Sequence, residues 1–135
     1  MPNAPQTQTT LAYLDSGRSL PPGVPFCEAV RAGDTFYFSG QIGNTPGTLE
    51  LAPGGIAAEA RQLMENMSAT LSAHGLGLDR VVKCTVMLAD MAEWKAFNEV
   101  YASYFPAGRR PARSAFGCAG LVAGARVEME FIAVA

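Results

Sequence analysis

Two periods of apolar and polar positions run along this chain, and the switches between them outline its elements. From Phe26 to Gly43, "FCEAVRAGDTFYFSGQIG" reads as two strands around a turn at Ala32, Gly33 and Asp34. Phe36, Tyr37 and Phe38 give the second strand strong β character. Ile56, Ala60, Leu63, Met64, Met67 and Leu71 then recur at spacings of three and four, which predicts a helix from about Ile56 to Ala73. Glu59, Gln62, Glu65, Asn66 and Ser72 fall mostly on its other side, and Gly75 after His74 suits its C-cap. "RVVKCTVML" is a strand by its β-branched content and its length. Asp90, with Glu93 three residues on, makes a capping-box pattern that opens a second helix. Trp94, Phe97, Tyr101, Tyr104 and Phe105 lie on one side of that helix, and Pro106 and Gly108 end it. Two strands close the chain, "ARSAFG" and "RVEMEFIAVA", separated by the glycine-rich "CAGLVAGA".

The resulting order is ββαβαββ, with one short strand expected near Leu11 to Leu14 in an otherwise turn-rich lead-in. This is an α+β pattern, a mixed sheet with two helices packed on one face. Strand residues of both phases are often apolar, so the uncovered face is a candidate subunit interface. The 135 residues fit one domain, 1–135, with the polar residues 1–10 expected to be flexible. Only 16% of residues are charged, a shortage that favours self-association.

Charge narrows the partners. The net charge is −2 and the chain has no basic stripe, which argues against nucleic acid. No apolar run is long enough to span a membrane, and the polar start lacks the apolar core of a signal peptide. Cys27, Cys84 and Cys118 are far apart and odd in number, and the lone His74 makes a zinc site improbable. Thiols in this pattern suit a reducing, cytoplasmic setting and read as small core hydrophobes.

Charges inside strands need partners or a purpose. Alternation puts Arg113, Ala115 and Gly117 on one face, leaving room beside a guanidinium that can grip a carboxylate with two prongs. It also groups Glu128 and Glu130 with Ile132 and Val134. If the last two strands form a simple hairpin, Arg113 lies opposite Glu128, and the two make only a cross-strand ion pair worth roughly 0.2–1 kcal/mol. Glu130 reads as a solvated or paired strand residue. Asn98, four residues after Trp94, sits at the edge of an apolar helix face, where an amide needs partners from ligand or loop. His74 at a helix end suits the helix dipole. "SGQIG" lacks the spacing of a phosphate loop and reads as a strand end, with Gly40 permitting close backbone approach.

Four blocks, "FYFSGQIG", "VVKCTVMLADMAEWKAFNEVYASYFP", "RPARSAFG" and "VEMEFIAVA", resemble the RidA/YjgF family of reactive-intermediate deaminases. The likeness runs from about Phe26 to the C-terminus. It implies a chorismate-mutase-like fold and a homotrimer with a central barrel and a cleft between each pair of subunits. It implies hydrolytic deamination of enamine and imine intermediates, such as 2-aminoacrylate, to 2-keto acids and ammonia, with no metal or organic cofactor. The family's carboxylate-binding arginine falls on Arg113, its water-positioning glutamate on Glu128 and its helix asparagine on Asn98. The pocket wall falls on Ser39, Gly40 and Gln41. This chain departs from the usual pattern at Ala115, where the family has Cys, and at Phe26, where it often has Tyr. Those departures keep open an alternative: a non-catalytic member that binds a keto acid or other carboxylate.

Overall fold

A computed structural model describes residues 4–5 and 7–135 of the chain. The flexibility expected for residues 1–10 therefore falls partly outside the described residues. The elements run β1 (Leu11–Leu14), β2 (Ala29–Ala32), β3 (Thr35–Ile42), α1 (Ile56–Ala73), β4 (Val81–Leu88), α2 (Trp94–Ser103), β5 (Ala112–Gly117) and β6 (Val127–Val134). They match the expected order with β1 added at the front. The six strands form one sheet in the order β1-β2-β3-β6-β4-β5. Every neighbouring pair is antiparallel except β4 and β5, which α2 links in parallel.

The core follows from the two periods. Val127, Met129, Phe131 and Ala133 alternate inward on β6, and Leu63, Met64, Met67 and Leu71 meet them from α1. Phe131 stacks on Phe38 of β3 with ring centroids 4.5 Å apart. Helix α1 ends where expected: Gly75 has φ 75°, its N–H donates to Ser72 O, and Leu76 N–H donates to Leu71 O. That pair of bonds is a Schellman closure, which needs a residue comfortable at positive φ.

Several side chains depart from the sequence reading. Glu59 and Asn66, assigned to the polar side of α1, are buried. Asn66 Nδ2 donates to the carbonyls of Ile42 and Asn44, at 3.1 and 2.8 Å, and Glu59 accepts from Arg126 N–H at 2.9 Å. The strand ends leave backbone groups that need buried partners, and α1 supplies them. Asp90 does cap, accepting from Ala92 N–H at 2.9 Å, but it caps a short 3₁₀ turn, Met91–Glu93, that precedes α2. Glu93 does not close a capping box; both its oxygens lie 3.0 Å from Arg126 Nη1. Trp94 is 44% exposed, whereas Phe97, Tyr101 and Phe105 are buried as expected. Of the three thiols only Cys84 is a buried core residue; Cys27 and Cys118 are half-buried.

The uncovered sheet face carries Tyr13, Tyr37 and Phe116, all exposed. The register places Tyr13, Val30, Tyr37 and Ile132 in one row across four strands. No helix among the described residues is long and apolar enough to cross a membrane.

Candidate active site

A cavity of about 760 Å³ opens between the loop that precedes β2, the C-terminal end of β3 and the start of β6. Phe26, Ser39, Gly40, Gln41, Glu128 and Glu130 line it. The strand end is irregular there: the β3–β6 register shifts between Phe38 and Gln41. Such a bulge re-aims side chains locally. Ser39 Oγ donates to the Cys27 carbonyl at 2.6 Å, which fastens the chain beside Phe26 to β3. Gln41 Nε2 donates to Thr70 Oγ1 of α1 at 3.0 Å. Gly40 does permit a close approach, but of a side chain: a Cβ there would lie 2.7 Å from Glu128 Oε2 and 3.1 Å from its Cδ. The missing side chain at Gly40 is the seat of the Glu128 carboxyl.

Burial pushes the pKa of Glu128 above the ordinary glutamate value, and repulsion from Glu130 pushes it the same way. Among the described residues no cation, Arg113 included, pulls it back down. A carboxylate raised in this manner is a better proton acceptor near neutral pH than an exposed one.

Arg113, Ala115 and Asn98 do not line this cavity. Strand β6 is already paired on both edges, with β3 and with β4, so β5 makes no hairpin with it. Instead β5 lies at the sheet edge along β4, with Arg113 beside Cys84 and Ala115 beside Val86. Cys84 and Val86 are core residues, so Arg113 and Ala115 share the helix-covered side. Glu128 lies on the other side, since Val127 and Met129 flank it and point to the core. The cross-strand pair between Arg113 and Glu128 therefore does not form.

Arg113 rests on aromatic rings of α2. Its guanidinium carbon is 4.7 Å from the Tyr101 ring centroid and 5.7 Å from that of Phe97. Among the described residues it forms no ion pair. Asn98, next to Phe97 on α2, has a buried Oδ1 without a hydrogen-bond partner. Two unmet binding capacities, a cationic fork and an amide acceptor, thus belong to the β5–α2 side. Burial pushes the neighbouring Cys84 thiol up to about 11, which keeps it protonated and unsuited to nucleophilic attack.

One cluster escaped the sequence reading. Glu28 is 1% exposed and gathers Ser16, Ser19 and His74 around its carboxyl. His74 does stand at the end of α1, but its Nε2 is 2.5 Å from Glu28 Oε2, so its ring is hydrogen-bonded to a buried acid rather than free at the helix end. Burial raises the Glu28 pKa, but hydrogen bonds from Ser19, His74 and Ser16 outweigh it and the net shift is downward. The available signal was a lone histidine and an acid just before an apolar strand, 46 residues apart.

Known proteins resemble this arrangement over most of its length. A sequence model of the family described as endoribonuclease L-PSP matches residues 17–135. A mouse protein named 2-iminobutanoate/2-iminopropanoate deaminase is 46% identical over 110 residues, 82% of this chain and 81% of the mouse chain. The crystal structure of yeast Mmf1 superposes with a TM-score of 0.84 at 37% identity, covering 93% of this chain and 98% of the yeast chain. That of YyfA, a Yersinia pestis protein of the conserved Rid family, has a TM-score of 0.86 at 30% identity, covering 93% and 100%.

Proposed function

Because the chain belongs to the Rid/YjgF family, whose sequence model carries the description endoribonuclease L-PSP, we propose that it hydrolyses 2-imino acids, formed from reactive enamines, to 2-keto acids and ammonia. The observation that carries this reading is the Glu128 carboxyl, seated against Gly40 in a cavity with its pKa raised. The deaminase named in mouse supports the same chemistry.

The reaction adds water across C=N and then expels ammonia. Glu128 holds the water and takes one of its protons as oxygen attacks the imine carbon. The same carboxyl returns that proton to the nitrogen, giving a carbinolamine, and then carries the new hydroxyl's proton to the nitrogen as well, so that the carbonyl forms as the C–N bond breaks and ammonia leaves. An imine carbon is already electrophilic, so orientation and one general base supply the acceleration required. Orientation needs a hold on the substrate carboxylate, and the unpaired Arg113 fork has the matching geometry. Asn98 and the backbone at Ala115 complete that hold, while Phe26, Ser39 and Gly40 shape the opposite wall.

Within one chain the base and the fork lie on opposite sides of the sheet. We therefore place the working site at a seam between subunits of a homotrimer, with Glu128 from one and Arg113 from its neighbour. The exposed Tyr13, Tyr37 and Phe116 on the uncovered sheet face supply the apolar surface that such an assembly buries. RNA cleavage draws no support from the cavity, whose charged lining is Glu128, Glu130 and the single cation Arg18.

Complementation tests the whole reading. Arg113→Ala and Glu128→Gln are each expected to be inactive on an imine generated in place by an amino-acid oxidase, with the fold intact by circular dichroism. Co-refolded in equal amounts, randomly mixed trimers carry one intact seam each, which restores about a quarter of wild-type activity. No recovery in verified mixed trimers would overturn the shared site, and full activity of either single variant would remove that residue from the mechanism.

A further inference from the structure

The loop from Ser16 to Phe26 forms one wall of the cavity, and it contains no helix or strand. Its apolar members, Leu20, Pro21, Pro22, Val24, Pro25 and Phe26, are the side of the cavity suited to an apolar substituent. A wall of irregular backbone needs an anchor, and the Glu28 carboxyl supplies one. Oε1 accepts from Ser16 Oγ at 2.8 Å and from Ser19 Oγ. Oε2 accepts from Ser16 N–H at 3.2 Å and faces His74 Nε2. An ionised carboxylate only accepts, so His74 Nε2 carries the hydrogen and donates it. The imidazole is held in turn by its place at the end of α1 and by Phe38, whose ring lies 6.0 Å away. Further along the loop, Ser19 O accepts from Gly47 N–H at 3.4 Å.

We propose that Glu28 and His74 are positioning residues that fix the Ser16–Phe26 wall and thereby govern the affinity of the site for imino acids with bulky apolar side chains. This rests on the deaminase reading for its substrate and on the contacts above for its mechanism. With the substrate carboxylate held by Arg113 and the attacking water by Glu128, the substrate's third substituent faces the loop. A methyl group barely reaches that wall, whereas a benzyl group packs on it. Loosening the wall therefore weakens the bulky substrate selectively and leaves the reacting atoms in place.

The test compares wild type, His74→Ala and His74→Gln on 2-imino acids generated by an amino-acid oxidase from alanine and from phenylalanine. A single methylene in an apolar pocket is worth at least tenfold, so His74→Ala is expected to raise KM for the phenylalanine-derived imine about tenfold. Its KM for the alanine-derived imine and both kcat values stay within about twofold, the pattern of lost uniform binding. His74→Gln retains an N–H donor and restores most of the lost affinity. Hydrogen exchange at the backbone amides of residues 16–26 provides a readout that needs no turnover: His74→Ala speeds it there and leaves β6 protected. A wild type inactive on both imines would refute the deaminase reading and leave exchange to decide the anchor. Unchanged loop exchange, or equal KM changes on both substrates, overturns the proposal.

Discussion

Gly40→Ala probes the seat of Glu128 directly. Gly40 is not among the positive-φ glycines, so its backbone accommodates alanine. The added Cβ meets Glu128 Oε2 at 2.7 Å, Cδ at 3.1 Å and Cγ at 3.3 Å, inside the 3.4 Å at which ordinary contact begins. The carboxyl must retreat by about 0.7 Å, and as the far end of a flexible side chain it can do so without moving the sheet. A misplacement of 1 Å costs about a hundredfold in rate, so kcat is expected to fall about 10- to 100-fold. KM changes little, because the substrate carboxylate is held elsewhere.

Gly43→Ala is the control. A Cβ there would lie 2.2 Å from the backbone oxygen of Glu59, and backbone inside a helix cannot yield as a side-chain tip can. That variant is expected to lose about 1–3 kcal/mol of stability or more, the usual cost of overpacking. Steady-state kinetics on oxidase-generated imines and thermal melts of both variants separate the two outcomes. In a double variant with Glu128→Gln, Gly40→Ala should cost nothing further, since both act through one group. Full kcat in Gly40→Ala would refute the assignment of Glu128 as the base, and an unfolded Gly40→Ala would make its seat a structural contact only.

Two pH effects follow from the buried carboxyls. Glu128 has a raised pKa in the folded chain, so the folded state favours its protonated form, and stability is lost as pH rises through that value. Glu128→Gln should therefore melt higher than wild type at neutral pH although it turns nothing over; an unchanged or lower melting point at pH 7 counts against burial as the cause. In wild type the acid limb of kcat should sit above the ordinary glutamate value of 4.5. Glu28 is the opposite case: its pKa is lowered, so its stabilisation is present above 4.5 and is lost as pH falls through the lower folded value. Glu28→Gln should be less stable than wild type at pH 7 and converge with it in acid, as read from melting points across pH 2–7.

Local pattern was enough where the physics is local. The three-four spacing set both ends of α1 at Ile56 and Ala73, and Gly33, with φ 60°, marked the β2–β3 turn. Sheet order was not legible, because nothing within β5 or β6 says that β6 lies between β3 and β4. Glu59 and Asn66 look solvated by periodicity, yet the unpaired backbone of distant strand ends draws them inward. His74 does cap α1, but its partner Glu28 is not legible for the same reason, being remote in sequence. The roles of the site residues are legible only through the resemblance, and only the fold divides those residues between two sides of the sheet.

That division has a chemical consequence. Had β5 and β6 formed a hairpin, Arg113 and Glu128 would have satisfied each other. The guanidinium would then have depressed the carboxyl pKa, removing the base, and the carboxyl would have occupied the fork, removing the grip. Parallel pairing of β5 with β4 prevents both losses. It leaves Arg113 stacked on Tyr101 and Phe97, an attraction worth about 0.5–1 kcal/mol at partly exposed sites, which orients the fork without using up its planar hydrogen-bond donors. A substrate carboxylate can then displace water from the fork without first breaking an internal ion pair. Glu128 meanwhile stays among a glycine and a second carboxylate, with nothing among the described residues to lower its pKa. In the trimer we propose, keeping the cation and the base apart in each subunit preserves the reactivity of both until the seam brings them to one substrate.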